Sequence, residues 1–150
     1  MSKYTRAELE QAFDHYQEVN VRSMATQDWS AWANQFTEDA VYMEHAFGEM
    51  RGRETIRAWI TEVMASSPGW DVATFEPEWR MIDEEKGWIV ISFLNKMPDL
   101  GDGVVHQAVN FSLIKYAGDN QWSYQEDIYN PMEMAKLTTD WFAAKAALEA

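Results

Sequence analysis

The chain has no cysteine. That excludes disulfides, thiolate metal sites and a cysteine nucleophile. Positive charge is scarce: 12 Lys and Arg stand against 25 Asp and Glu, a formal net charge of -13. No run of Lys or Arg occurs, so the basic stripe that neutralises phosphates is missing. Nucleic acid and anionic membrane surfaces are therefore not expected partners. The sequence has no apolar run of 18 residues, and its opening, MSKYTRAELE, lacks an apolar signal core. A cytoplasmic protein is expected. There is no phosphate-cradling glycine loop and no G-x-S-x-G nucleophile turn. The three histidines, His15, His45 and His106, are far apart and lack metal-ligand spacing. Neither a metal nor a cofactor is expected.

What is abundant is aromatic: eight Trp, seven Phe and six Tyr, with nine Met, in 150 residues. A disordered acidic chain would be poor in these. The length suits a single domain over residues 1–150 with a sizeable core. The charge deficit suggests a neutral or weakly charged small molecule as partner, held mainly by apolar contact.

Periodicity organises the chain as helices, then strands, then a last helix. Thr5 and Glu8 form a capping box. Leu9, Phe13, Tyr16, Asn20 and Met24 follow at helical spacing, predicting a helix from Arg6 to Ala25. Asp28 caps a shorter helix with Trp29, Trp32, Ala33 and Phe36 on one face. Ala40–Phe47 reads as a strand, and Gly48 and Gly52 as a turn or short hairpin. Arg53–Ser67 is a third helix, stopped by Pro68-Gly69. The period then becomes two. Val72–Ile82 alternates, and its internal Pro77 marks an edge or a bulge. Gly87–Met97 is almost continuously apolar, as in a strand covered on both faces. Val104–Tyr116 and Gln121–Tyr129 complete the set around Gly118-Asp119-Asn120. Asn130-Pro131 starts the last helix, striped by Met134, Leu137, Trp141, Lys145 and Leu148. Sequential strands on short turns make an antiparallel meander, and helices grouped before it cover one face. The class is α+β.

Candidate chemistry sits on the strands. Gln125, Asp127 and Tyr129 share one face; Trp122, Tyr124, Glu126 and Ile128 share the other. His106, Ala108, Asn110, Ser112 and Ile114 share a small, polar face opposite Val105, Val109, Phe111 and Leu113. Alternation leaves open which face points inward. Tyr42 and Glu44 share a face of the first strand, and a Glu inside a strand is unusual. Glu44 is either an exposed rim carboxylate or a general base tuned by burial. His45 reaches the same pocket only across a bulge.

The stretch QDWSAWANQFTEDAVYMEHAFGEMRGRETIRAWI resembles the opening half of the NTF2-like superfamily in its SnoaL-like branch. The carrying features are the short Asp-led helix, F-x-x-D-A-x-Y and G-R-E-x-I-R-x-W. LIKYAGDNQWSYQEDIYNP is similar to the closing hairpin of that branch. The resemblance covers roughly Leu9 to Asn130. It implies a cone in which a curved antiparallel sheet wraps the N-terminal helices, with a C-terminal helix added. Ketosteroid isomerase, in the same superfamily, carries its base on the first strand, where this chain has Glu44. Its oxyanion-hole Tyr and Asp fall near Asn20 and Ser112, so neither strong donor is retained. In SnoaL-type cyclases an Asp of the late sheet is the acid/base, and Asp127 resembles it. The epoxide hydrolases of the superfamily use an Asp-Arg-Asp arrangement that has no counterpart here.

The resemblance also turns the polar strand face inward, so that His106, Asn110, Ser112, Gln125, Asp127 and Tyr129 face a pocket. Phe111, Leu113, Trp122 and Tyr124 would then pack on a second copy across the convex face, giving a homodimer or higher homo-oligomer. The expected function is a cofactor-independent acid/base enzyme, a lyase or isomerase, acting on a bulky apolar or aromatic molecule. Asp127, Glu44 and His45 are the expected catalytic residues. Tyr42, Asn110, Tyr129, His106, Asn20, Ser112 and Gln125 are the expected substrate contacts. The alternative is a non-catalytic hydrophobic-ligand-binding or dimeric adaptor domain. The two readings separate on whether Asp127 and Glu44 reach one enclosed cavity.

Overall fold

The computed structural model describes residues 1–150, the side chain of Trp70 excepted. Helix α1 (Arg6–Thr26) begins where the capping box places it, with Thr5 Oγ1 accepting from Glu8 N at 3.1 Å. Asp28 caps α2 (Trp29–Trp32), which tightens into a 3-10 turn over Ala33–Gln35. Strand β1 (Phe36–Glu44) starts four residues before the expected position, and β2 (Gly48–Arg51) pairs with it as a hairpin. Gly52 at φ 91° turns the chain into α3 (Arg53–Met64). Four strands follow: β3 (Thr74–Asp83), β4 (Trp88–Lys96), β5 (Gln107–Gly118) and β6 (Gln121–Ile128). Helix α4 (Pro131–Glu149) closes the chain, its first turn capped by Asn130 Oδ1.

The six strands form one open sheet in the order β2-β1-β6-β5-β4-β3. Strands β3 to β6 are the expected antiparallel meander. Strand β1 joins it parallel to β6, which no local periodicity encodes. Strand β3 is an edge strand and also shifts register between Pro77 and Trp79, so Pro77 marks both features at once. Register shifts in β1 and at the end of β5 add curvature, since each bulge bends the strand that carries it. The fold is α+β, with three helices before the meander packed into the concave face and one after it.

Four expectations change. Trp122 is not on the convex face. The shifts around Tyr116 bring it inward beside Gln125, fully buried, with its ring 5.8 Å from Tyr16 and 5.2 Å from Tyr116. Strand β4 is fully covered on one face and only in part on the other, where Ser92 is buried against Glu78. Ile89, Ile91 and Phe93 are buried, whereas Val90 is 36% exposed. Helix α3 ends at Met64, short of Ser67. Strand β5 begins at Gln107 rather than Val104, because Asp102 holds a loop by accepting from Val104 N at 2.9 Å.

The main core joins Leu9, Phe13 and Tyr16 of α1 to Ile56 of α3 and to Ile91, Ile114 and Trp122 of the sheet. A smaller cluster of Met97, Ala108, Leu137 and Trp141 docks the first half of α4, with Trp141 Nε1 donating to Pro98 O at 2.9 Å. Leu148 at the far end is exposed. No helix among the described residues is long and apolar enough to cross a membrane.

The inward turn of Trp122 has a measurable consequence. Trp122→Ala is expected to destabilise the fold by about 3–5 kcal/mol in urea unfolding. A loss below about 1 kcal/mol would put the indole outside the core.

Candidate active site

A cavity of about 620 Å³ lies between the concave sheet face, α1, α3 and the start of α4. The polar end of its wall is built by strand pairing. In the parallel β1–β6 pair, Tyr42 stands opposite Gln125 and Glu44 opposite Asp127. In the antiparallel β5–β6 pair, Ser112 stands opposite Asp127. Side chains two residues apart on a strand share a face, so Asn110 lies beside Ser112. Six polar residues from three adjacent strands therefore meet on one surface.

Their hydrogen bonds converge on Asp127. Ser112 Oγ donates to Asp127 Oδ1 at 2.6 Å, and Gln125 Nε2 donates to the same oxygen at 3.1 Å. The Tyr42 hydroxyl donates to Asp127 Oδ2. Behind them, Asn110 Nδ2 donates to Ser112 Oγ at 3.2 Å. Gln125 Nε2 also donates to the Tyr42 hydroxyl at 3.0 Å, and the Tyr16 hydroxyl donates to Gln125 Oε1 at 3.1 Å. Donors aligned in this sense reinforce one another in a low-dielectric site.

Two opposed effects act on the Asp127 carboxyl. Burial pushes its pKa above the ordinary value, and the neighbouring Glu44 carboxylate adds to the rise. Hydrogen bonds from Ser112, Tyr42 and Gln125 pull it down, but burial prevails. The phenols around it shift the same way. Burial and then the Asp127 charge raise both Tyr16 and Tyr42, and burial and then Glu44 raise Tyr129. They remain protonated donors at neutral pH.

Glu44 is 3% exposed and lines the cavity, so it is not a rim carboxylate. Its Oε2 accepts from Ala46 N at 3.2 Å and Phe47 N at 3.0 Å, while its buried Oε1 has no hydrogen-bond partner. Asn20 also lines the cavity and accepts from Trp32 Nε1 at 2.7 Å through Oδ1. Tyr129 completes the polar wall beside Glu44.

Two expected residues lie elsewhere. His45 follows the end of β1 and points to the opposite face, where Nε2 meets Glu126 Oε2 at 2.8 Å. It is exposed and cannot oppose Asp127 in the cavity. His106 precedes β5, outside the cavity wall, with its ring 3.4 Å from Asp102. The strand alternation that selected it does not extend into the loop. Tyr16 was missed as a polar wall residue. The available signal was its spacing of four from Asn20, which puts both on one helix face. No group of three or more His, Asp or Glu among the described residues is placed to hold a metal ion.

The open curved sheet, the helices in its concave face and the cavity between them define a cone-shaped fold with an internal pocket. A SnoaL-like domain model matches residues 14–113, and the chain belongs to the SnoaL-like family. No curated protein matches it. Solved structures show the same fold at low identity. One is a protein from Catenulispora acidiphila with a ketosteroid isomerase-like fold in complex with trimethylamine (18% identity, 90% of this chain and 95% of that one, TM-score 0.64). Another is an LEH-like epoxide hydrolase of M. tuberculosis (13%, 94% and 96%, TM-score 0.66). A third is an NTF2-like protein from Anabaena variabilis (16%, 87% and 95%, TM-score 0.63).

The raised Asp127 pKa has a sign. A carboxyl whose folded pKa lies above its unfolded value favours folding in its protonated form. Its contribution is intact below the unfolded value and is lost as pH rises through the folded one. Relative to wild type, Asp127→Asn is therefore expected to gain melting temperature as pH rises from about 4 to about 8. Thermal scans across that range check it, and the opposite trend would mean that the site stabilises the anion.

Proposed function

We propose that the chain is a cofactor-independent acid/base enzyme, a lyase or isomerase, acting on a bulky apolar or aromatic small molecule held in the cavity. One observation carries this reading. Asp127 and Glu44 pair across β6 and β1 on the wall of a single cavity. Asp127 is pushed toward its acid form, while Glu44 accepts from two backbone N–H groups through one oxygen and keeps the other free. A proton donor and an acceptor facing one cavity can move a proton between two substrate atoms.

For a dehydration, Glu44 takes a proton from carbon and Asp127 delivers one to the leaving hydroxyl, which departs as water. For an isomerisation, the proton taken from one carbon is returned to another. Asn110, Tyr42 and Tyr129 orient the substrate, and the Tyr129 hydroxyl faces negative charge as it develops. Trp29, Trp32 and Trp59, with Met64 and Met134, line the apolar remainder. Hydrolysis of an epoxide is not favoured, because no Arg among the described residues lines the cavity to complete an Asp-Arg-Asp arrangement.

Turnover of an aromatic and terpenoid substrate panel tests the proposal. Asp127→Asn and Glu44→Gln are each expected to lower kcat by about 10²–10⁴-fold. Turnover by Asp127→Asn equal to that of wild type removes Asp127 from the mechanism.

The partner proposed for the convex face is a second copy of the chain. Trp79, Val109, Phe111 and Ile128 are all exposed there across three strands. Phe111 pairs with Ile128 in register, and its ring lies 5.6 Å from that of Trp79. An apolar surface of this kind on one sheet face favours self-association. Light scattering is expected to give a dimer for wild type and a monomer for Phe111→Lys. A monomeric wild type at high micromolar concentration rules the interface out.

A further inference from the structure

The charge inside the cavity differs in kind from the charge outside. Glu44 and Asp127 share the cavity, and Glu62 lies at its wall. None of the described residues lining it is Lys, Arg or His. Two carboxyls drawn out of water without a counter-charge are costly, which is why burial and Glu44 together raise Asp127. Unpartnered polar atoms point the same way. The acceptors Glu44 Oε1, Asn95 Oδ1 and Asn110 Oδ1 have no donor, and Glu44 is 97% buried by its 3% exposure. The unpartnered donors of the wall, Trp29 Nε1 and Trp59 Nε1, are uncharged.

Aromatic rings stand around the same carboxyls. The Tyr42 ring lies 4.9 Å from that of Trp59, and the Phe47 ring 5.9 Å from it. Tyr42 binds Asp127 through its hydroxyl, and Phe47 binds Glu44 through its backbone N–H. Aromatic faces attract cations through the ring quadrupole, most strongly where water is excluded. The Tyr42 ring is buried and Phe47 is 61% exposed, so the packed rings form one side of the cavity running out to its mouth, with no competing cation on the wall.

We infer that the Tyr42–Phe47–Trp59 wall and the buried Glu44 carboxyl select a ligand whose apolar or aromatic body carries a tertiary or quaternary ammonium group. This rests on the reading of the cavity as a substrate site and names the class of substrate. It replaces the neutral partner suggested by net charge alone, because the cavity concentrates the negative charge that it must neutralise.

An inert probe separates this inference from the catalytic reading. Benzyltrimethylammonium and its uncharged carbon isostere, 2,2-dimethylpropylbenzene, have nearly the same shape. Wild-type protein is titrated with each, followed by tryptophan fluorescence and calorimetry. The cation is expected to bind at one site about tenfold tighter or more. Glu44→Gln, checked for folding by circular dichroism, is expected to narrow that preference to about threefold or less while leaving isostere binding nearly unchanged. Trp59→Leu serves as the second variant and is expected to weaken the cation more than the isostere. Equal binding of the two probes, tighter binding of the isostere, or no saturable binding of the cation overturns the inference. The same holds if the preference survives both variants, since it then arises from the acidic exterior. Because the probe cannot react, loss of the cation preference with Asp127-dependent turnover intact removes this inference alone. A cation preference with Asp127-independent turnover removes the catalytic reading alone.

Discussion

The parallel pairing of β1 with β6 is the contact on which the site depends. It joins two strands separated by nearly 80 residues and sets Tyr42 beside Gln125 and Glu44 beside Asp127. Without it, Asp127 would keep Ser112 and Gln125 but lose the Tyr42 hydroxyl and the neighbouring carboxylate. The same pairing closes the cone, because β1 carries the β2 hairpin and the turn into α3. The apolar wall supplied by Trp59 and Val63 thus follows from the contact that assembles the polar wall.

Around that pairing the molecule separates two environments. On the concave side, bulges fold β5 and β6 over a core whose largest buried side chain is Trp122. On the convex side, apolar residues of the same strands face outward. That outer face is mixed, since Glu126, Lys115 and the Lys96–Glu76 pair stand among the apolar residues. A second set of polar residues is gathered inside, where each hydrogen bond strengthens as water is removed. The short network from Tyr16 and Asn110 through Gln125, Tyr42 and Ser112 to Asp127 is the result.

Much of the fold was legible. Capping at Thr5, Asp28 and Asn130 placed three helix starts within a residue, because caps act through neighbours in sequence. Pro77 correctly marked an edge and a bulge. Of the ten site residues expected, eight line the cavity: Asp127, Glu44, Tyr42, Asn110, Tyr129, Asn20, Ser112 and Gln125. The two histidines do not. His45 keeps the alternation and points away from Glu44, because the bulge that it needed to reach the pocket does not form, and His106 lies in the loop before β5, where period two does not apply. Trp122 was misplaced for a related reason: one inserted residue reverses a face, and a bulge leaves no distinct mark in composition.

By itself the sequence determined the elements, their order and the residue types available for chemistry, because those depend on local spacing and side-chain character. Zero cysteine and a surplus of carboxylates left carboxyl, phenol and imidazole as the groups at hand. Only the tertiary structure decided which of them meet. Parallel pairing across distant strands brought the carboxyls together, bulges chose which aromatics face inward, and unbroken register at His45 and the loop at His106 kept both imidazoles out. Burial, which no residue carries alone, then set the protonation tendency of Asp127.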